Sequence, residues 1–343
     1  MPIVQPKSLF RLFLVVAALE ALVLADSGRP GSVKKLDPDL DGIVSADTAV
    51  EKVAGGFKFL EGPIWVQPGM LLFSDIPARV IYKWFPGAKP VIFLGPQEFI
   101  GKDGAVSAEP GTNGLTLDKQ GRLTICDQGN RRIVRINGNS SLTIIADRYQ
   151  GKRFNSPNDL VYKSDGSLYF TDPPYALTKE DQDPRKEQIY NGVYRVMDGK
   201  VQMVVKDMTR PNGIAFSPDE KFLYVDNSEP RKVYMRFPVN PDGTLGAGTV
   251  FYDMSSAPGE GSPDGMKVDG NGNIYGTGPG GIWIISPQGK HLGTIHLPET
   301  AANCAWSGAD GRTLYITATT GLYRIRLKVP GAGSPWRISA PVN

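Results

Sequence analysis

Residues 157–172, PNDLVYKSDGSLYFTD, hold the pattern that the rest of the chain repeats. Asn158 precedes a short run of alternating apolar and polar residues, Ser164-Asp165-Gly166-Ser167 interrupts it, and a β-branched and aromatic run follows. Alternation with period two marks a half-buried strand, and an Asp-Gly pair supplies the positive φ of a tight hairpin. The phrase returns as LEGPIWV at 60–66, TNGLTLD at 112–118, PNGIAFSPDE at 211–220, PDGMKVDGNG at 263–272 and ANCAWSGADG at 302–311. Each copy contains one acidic or amide side chain at an equivalent place: Glu61, Asn113, Asn158, Asn212, Asp264 and Asn303.

Successive key positions lie 52, 45, 54, 52 and 39 residues apart. A period of ~40 to 50 residues with four strands per unit is the signature of a β-propeller. A third strand follows in every unit, as in RVIYKWFP at 79–86, NGVYRVMDG at 191–199 and GLYRIRL at 321–327. Past Leu327 the chain is too irregular to supply a last outer strand, whereas TAVEKVAGGFKF at 48–59 has the pattern for one. The expected fold is therefore all-β, a six-bladed β-propeller whose ring is closed by an N-terminal strand, which removes the exposed sheet edge. Residues 26–343 are expected to form this one domain. Asp165, Asp219 and Asp310 read as turn formers. The polar stretch 178–188, TKEDQDPRKEQ, reads either as a loop over a pocket mouth or as an outer surface excursion.

Composition sets the other bounds. With Gly 40, Pro 28 and 21% charged residues, the chain has the make-up of a globular protein of many short strands. A formal charge of +3 gives no argument for nucleic acid or a membrane surface as a partner. Lys7 and Arg11 precede an apolar run from Leu12 to Ala25, the layout of a secretory signal peptide cleaved near Ala25/Asp26. The mature protein is expected to be exported, periplasmic or secreted and free of the membrane, with a retained N-terminal anchor as the alternative. Cys126 and Cys304 lie in different repeats and are expected as separate buried thiols. With His291 and His296 the only histidines, histidine triads, haem and classical zinc sites find no ligands.

Radial symmetry brings the six key residues to one end of the central channel. Glu61, Asn158, Asn212 and Asp264 offer two carboxylates and two amide oxygens, a donor set for a hard cation. Calcium is the expected ion, with zinc, magnesium and manganese as alternatives. Glu61, flanked by Leu60, Gly62, Pro63, Ile64 and Trp65, would be an isolated buried charge without a partner. Asn113 and Asn303 read as turn or pocket-lining residues, because a lone Asn at the start of a blade usually hydrogen-bonds the neighbouring backbone. Trp65 reads as core.

EGPIWV, SPNDLVYKSDGSLYFTDPPY, PNGIAFSPDEKFLYV and PDGMKVDGNGNIY resemble, in order, the motifs of the gluconolactonase/regucalcin family of six-bladed propellers. The resemblance runs from about Phe57 to Leu327. It implies one divalent cation held by Glu61, Asn158, Asn212 and Asp264, with Asp264 also acting as general acid/base. An Arg that the family's animal lactonases carry two residues before the third-motif Asn is Ser156 here, with Arg153 nearby.

The expected activity is metal-dependent hydrolysis of a lactone, with Asn113, Asn158, Asp172 and Tyr175 as candidate substrate contacts. The alternatives are a phosphotriesterase or arylesterase on the same residues, or a non-catalytic binding propeller. The partner is a small lactone or ester, and the residues set no oligomeric state.

Overall fold

The computed structural model describes residues 31–67, 69–95, 107–138, 141–308 and 310–333; the expected leader, residues 1–25, lies outside them. Six antiparallel sheets form the blades of a propeller. From the axis outward the first is Leu60–Val66, Met70–Asp75, Val80–Trp84 and Val91–Leu94. Next come Leu115–Leu117, Leu123–Asp127, Arg132–Ile136 and Leu142–Ala146. The third holds Leu160–Tyr162, Leu168–Asp172, Asn191–Met197 and Lys200–Met208. Pro211–Phe216, Phe222–Asn227, Val233–Pro238 and Thr249–Asp253 make the fourth. Met266–Val268, Ile274–Gly278, Gly281–Ile285 and His291–His296 make the fifth.

Closure occurs in the sixth blade. Ala301–Ser307, Thr313–Ala318 and Gly321–Arg326 take their outer strand from Val50–Gly55. Val50 pairs with Ile325, Glu51 with Arg324 and Lys52 with Tyr323, so the N-terminal strand closes the ring as the repeats imply. The sequence pattern did not disclose that Ser32–Lys35 adds a fifth strand to the fifth blade, against His291–His296. A 3-10 turn at Pro38–Gly42, capped by the Asp37 side chain on Asp39 N at 3.0 Å, then buries Leu40.

The apolar core lies in the seams between blades. Val66, Leu72 and Ile81 of the first blade pack on Leu115, Ile125 and Val134 of the second, and Tyr169 and Val193 of the third on Ile214 and Val225 of the fourth. Second strands such as Leu168–Asp172 are buried along their whole length because blades cover both faces. Trp65 bridges a seam as expected of core, its ring stacked on Tyr315 of the sixth blade at 6.1 Å. Asp165, Asp219 and Asp310 accept backbone N–H bonds two residues on, at 2.9, 3.2 and 3.2 Å, as turn formers. Cys126 and Cys304 are separate, buried thiols. Among the described residues no helix is long and apolar enough to cross a membrane.

Because Val50 is 1% exposed within the cluster that holds Ile325 and Leu327, Val50→Asp would place an unpaired carboxylate in the closing seam. A loss of ~3 kcal/mol or more is expected in urea unfolding. A loss below ~1 kcal/mol, typical of surface positions, would show that the seam does not depend on this strand.

Candidate metal centre

At the start of the inner strands, neighbouring blades meet backbone to backbone. A Cβ added to Gly62, at φ +53°, would lie 2.2 Å from Asn113 O, and one on Gly213 2.2 Å from Asp264 O. Only glycine permits that approach. The glycines after Glu61 and Asn212 thus serve contact between blades, and the Asn-Gly pair at 212–213 is no hairpin turn. Hydroxyls of the second strands tie the same points: Ser74 donates to Asn113 O at 2.8 Å and Thr171 to Asn212 O at 2.7 Å.

Glu61, Asn113, Asn158, Tyr175, Asn212 and Asp264 line one cavity of about 310 Å³, joined by Glu109, Ser228, Glu229 and Ser262. Among the described residues no group of three or more His, Cys, Asp or Glu side chains is placed to hold a metal ion. A centre here has to draw on amide oxygens. Asn113 and Asn158 each donate an amide N–H to Gln128 Oε1, at 2.9 and 3.4 Å, and Asn212 donates to Ser228 Oγ at 3.1 Å. An amide whose NH₂ is engaged still has its carbonyl oxygen to offer. Asn113 Oδ1 is buried with no hydrogen-bond partner among the described residues, an arrangement that is costly unless a donor or cation meets it. These carbonyls and the two carboxylates fit a hard cation.

The carboxylates crowd one another. Burial, then the charge of Asp159, pushes Glu61 up to about 7, against a hydrogen bond from Gly62 N, the Asn303 amide and the Lys267 ammonium. Asp264 lies well above the usual carboxylate range through burial, then through Glu61, Asp226 and Glu109, with a hydrogen bond from Asn212 opposing. Burial raises Glu109 to about 7 as well, and Gln128 opposes it. A cation among these groups would restore their ionised forms.

The remaining candidates take other places. Asn303 is absent from the cavity wall but braces it, donating to Glu61 Oε2 at 3.0 Å and accepting from Lys267 Nζ at 3.2 Å. Asp172 is buried, is not among the lining residues and accepts from Asn155 N and Ser156 N, each at 2.8 Å. Burial raises it to about 7 against those two bonds. Ser156 Oγ donates to Pro173 O at 2.5 Å and accepts from Ala176 N at 3.1 Å, fixing the turn that carries Tyr175. Arg153 donates to Asn130 O at 3.0 Å and is not among the lining residues. No residue of 178–188 lines the cavity; Glu180 and Asp181 instead pair with Arg210 at 2.6 and 2.5 Å.

A family described as SMP-30/Gluconolactonase/LRE-like region matches residues 59–320. The chain is 38% identical over 318 residues to a gluconolactonase of Zymomonas mobilis, covering 88% of this chain and 87% of that one. It is 26% identical over 253 residues to a lactonase of Staphylococcus aureus, covering 70% of each chain. The solved gluconolactonase of Xanthomonas campestris superposes with a TM-score of 0.75 at 31% identity, covering 86% of this chain and 94% of that one.

Proposed function

Because the chain belongs to the SMP-30/gluconolactonase/LRE-like family, we propose that it hydrolyses a sugar lactone with the help of one divalent cation, calcium foremost. The observation that carries the site is the meeting of the buried Glu61, Asn158 and Asn212 with Asp264, from four different blades, at one cavity. These four would hold the ion. When bound, the cation supplies positive charge that polarises the lactone carbonyl and keeps Glu61 and Asp264 ionised.

The chain's own residues do the rest. Asp264 takes a proton from the water whose oxygen bonds to the carbonyl carbon. It returns that proton to the ring oxygen as the ring carbon–oxygen bond breaks, giving the open hydroxy acid. Asn113, Asn158 and the Tyr175 phenol meet the substrate's hydroxyls at the wall, and a cavity of about 310 Å³ suits one small ring. Export belongs to the same reading, since calcium is plentiful outside the cytosol and would keep a site of moderate affinity filled.

The test is a panel of sugar lactones, aliphatic lactones, aryl esters and organophosphates, assayed with EDTA and after return of calcium, on exported and cytosolic fractions. Lactone turnover that EDTA removes, calcium restores and the exported fraction carries is the expected result. Turnover unaffected by EDTA would remove the cation from the reading, and turnover of organophosphates alone would replace the substrate class.

A further inference from the structure

Two residues outside the six key positions are hydrogen-bonded in series to the amides of this site. Gln128 is buried in the 3-10 turn Gln128–Asn130, directly after the second strand of the second blade. Its Nε2 donates to Glu109 Oε2, while its Oε1 accepts from Asn113 Nδ2 at 2.9 Å and Asn158 Nδ2 at 3.4 Å.

The chemistry of the first partner sets the direction of the whole chain of bonds. With a cation among these groups Glu109 is ionised and only accepts, so Gln128 presents its NH₂ to Glu109 and its carbonyl to the two asparagines. Those asparagines then spend an N–H on Gln128, and their own carbonyl oxygens face elsewhere. Were Gln128 reversed, its NH₂ would oppose both Asn NH₂ groups. Glu109 is itself held in place by the backbone around it. Ser107 Oγ donates to Glu109 O at 3.0 Å and to Ala176 O at 2.8 Å, and Gly129 N donates to Gly111 O at 3.1 Å. A Cβ on Gly129 would lie 2.4 Å from Pro110 O, so this segment is seated against the turn that carries Gln128.

We propose that Glu109 and Gln128 are positioning residues that fix the amides of Asn113 and Asn158 with their carbonyl oxygens toward the cation and substrate. This rests on the cation site proposed above. Partners that orient ligands in this way are worth about 10- to 100-fold in metal affinity.

Calorimetric titration of the full chain with calcium chloride alone tests it, alongside melting in EDTA. The parent is expected to bind, and the Glu61→Gln, Asp264→Asn double variant is not. Gln128→Met, similar in size and without hydrogen bonds, is expected to bind about 10- to 100-fold more weakly. In the exchanged pair Glu109→Gln, Gln128→Glu, the new Gln donates to the new carboxylate, which accepts both asparagine amides. The direction of every bond is kept, and affinity returns to the parent's.

Gln128→Met that binds like the parent overturns the positioning role, as does an exchanged pair that folds but stays weak. Should Gln128→Met fail to fold, the exchanged pair alone decides. A parent that binds no calcium defeats the cation site itself, and the positioning role with it.

Discussion

Asp264→Asn is expected to lower lactone turnover by roughly 100- to 10,000-fold, the span that general acid/base groups contribute. The substitution keeps the shape of the side chain and leaves untouched the close approach of Gly213 to the Asp264 backbone oxygen. An amide cannot take the proton of the attacking water, and it offers the cation a neutral oxygen in place of a charged one. The same change removes a carboxyl that burial, then Glu61, Asp226 and Glu109, make costly to ionise. Melting in EDTA is therefore expected to rise while turnover collapses. Those opposed signs separate loss of chemistry from loss of fold. Retention of more than a tenth of parent turnover in saturating calcium would take the proton-carrying role away from Asp264.

Glu61→Gln carries the second large effect, and its sign depends on the cation. In protein stripped by EDTA, Glu61 titrates near 7 against an ordinary value of 4.5. Between those values the native state keeps a proton that the unfolded chain has released, so stability falls as pH rises through the window. Below about 4.5 the favourable contribution is complete, and above about 7 it is gone. The difference amounts to ~3 kcal/mol at ~1.4 kcal/mol per unit. Glu61→Gln removes this slope, so in EDTA at pH 8 the variant is expected to melt above the parent.

Calcium should reverse the order. A ligand at 100 times its Kd adds ~2.7 kcal/mol to the parent, and little to a variant lacking one of two charged donors. Melting curves at pH 5 and pH 8, with EDTA and with calcium, read all four values. A variant that melts below the parent in EDTA at pH 8 would mean that Glu61 is already compensated by the chain, with Asn303 and Lys267 as its partners.

The strand pattern was legible because alternation and turn residues report a local property of each segment. Even closure was visible, since the irregular tail after Leu327 left Gly321–Arg326 in need of a partner that Val50–Gly55 could supply. Convergence of Glu61, Asn113, Asn158, Asn212 and Asp264 followed from symmetry alone. What passes between neighbouring blades was harder to see. Asn303 occupies the same repeat position as Asp264, yet it hydrogen-bonds Glu61 in the neighbouring blade and stays off the cavity wall.

Asp172 illustrates the same limit. Its place at a strand end beside two prolines suggested a pocket, while the backbone N–H groups of Asn155 and Ser156 claim both its oxygens. Glu109 and Gln128 were hard to see for a different reason: Glu109 sits in a link between blades, and Gln128 fills a place after the second strand that the fourth blade gives to Ser228, so the residue type changes from blade to blade. The strand Ser32–Lys35 likewise belongs to no copy of the repeat, and its register is set by the exposed edge of His291–His296.

The closing seam also orders events in time. Glu51 and Arg324, joined across it at 2.7 Å, are 273 positions apart, and contacts of such separation form late because the loop between them must be closed first. Glu61 lies just past the closing strand, and its amide partner Asn303 sits in the blade that strand completes. The first five blades can assemble as the chain lengthens, but Glu61 gains this brace only when the last blade is whole. Competence at the site is thus a late acquisition in folding, and a chain truncated before Gly321 would keep most of its strands yet lack the finished centre.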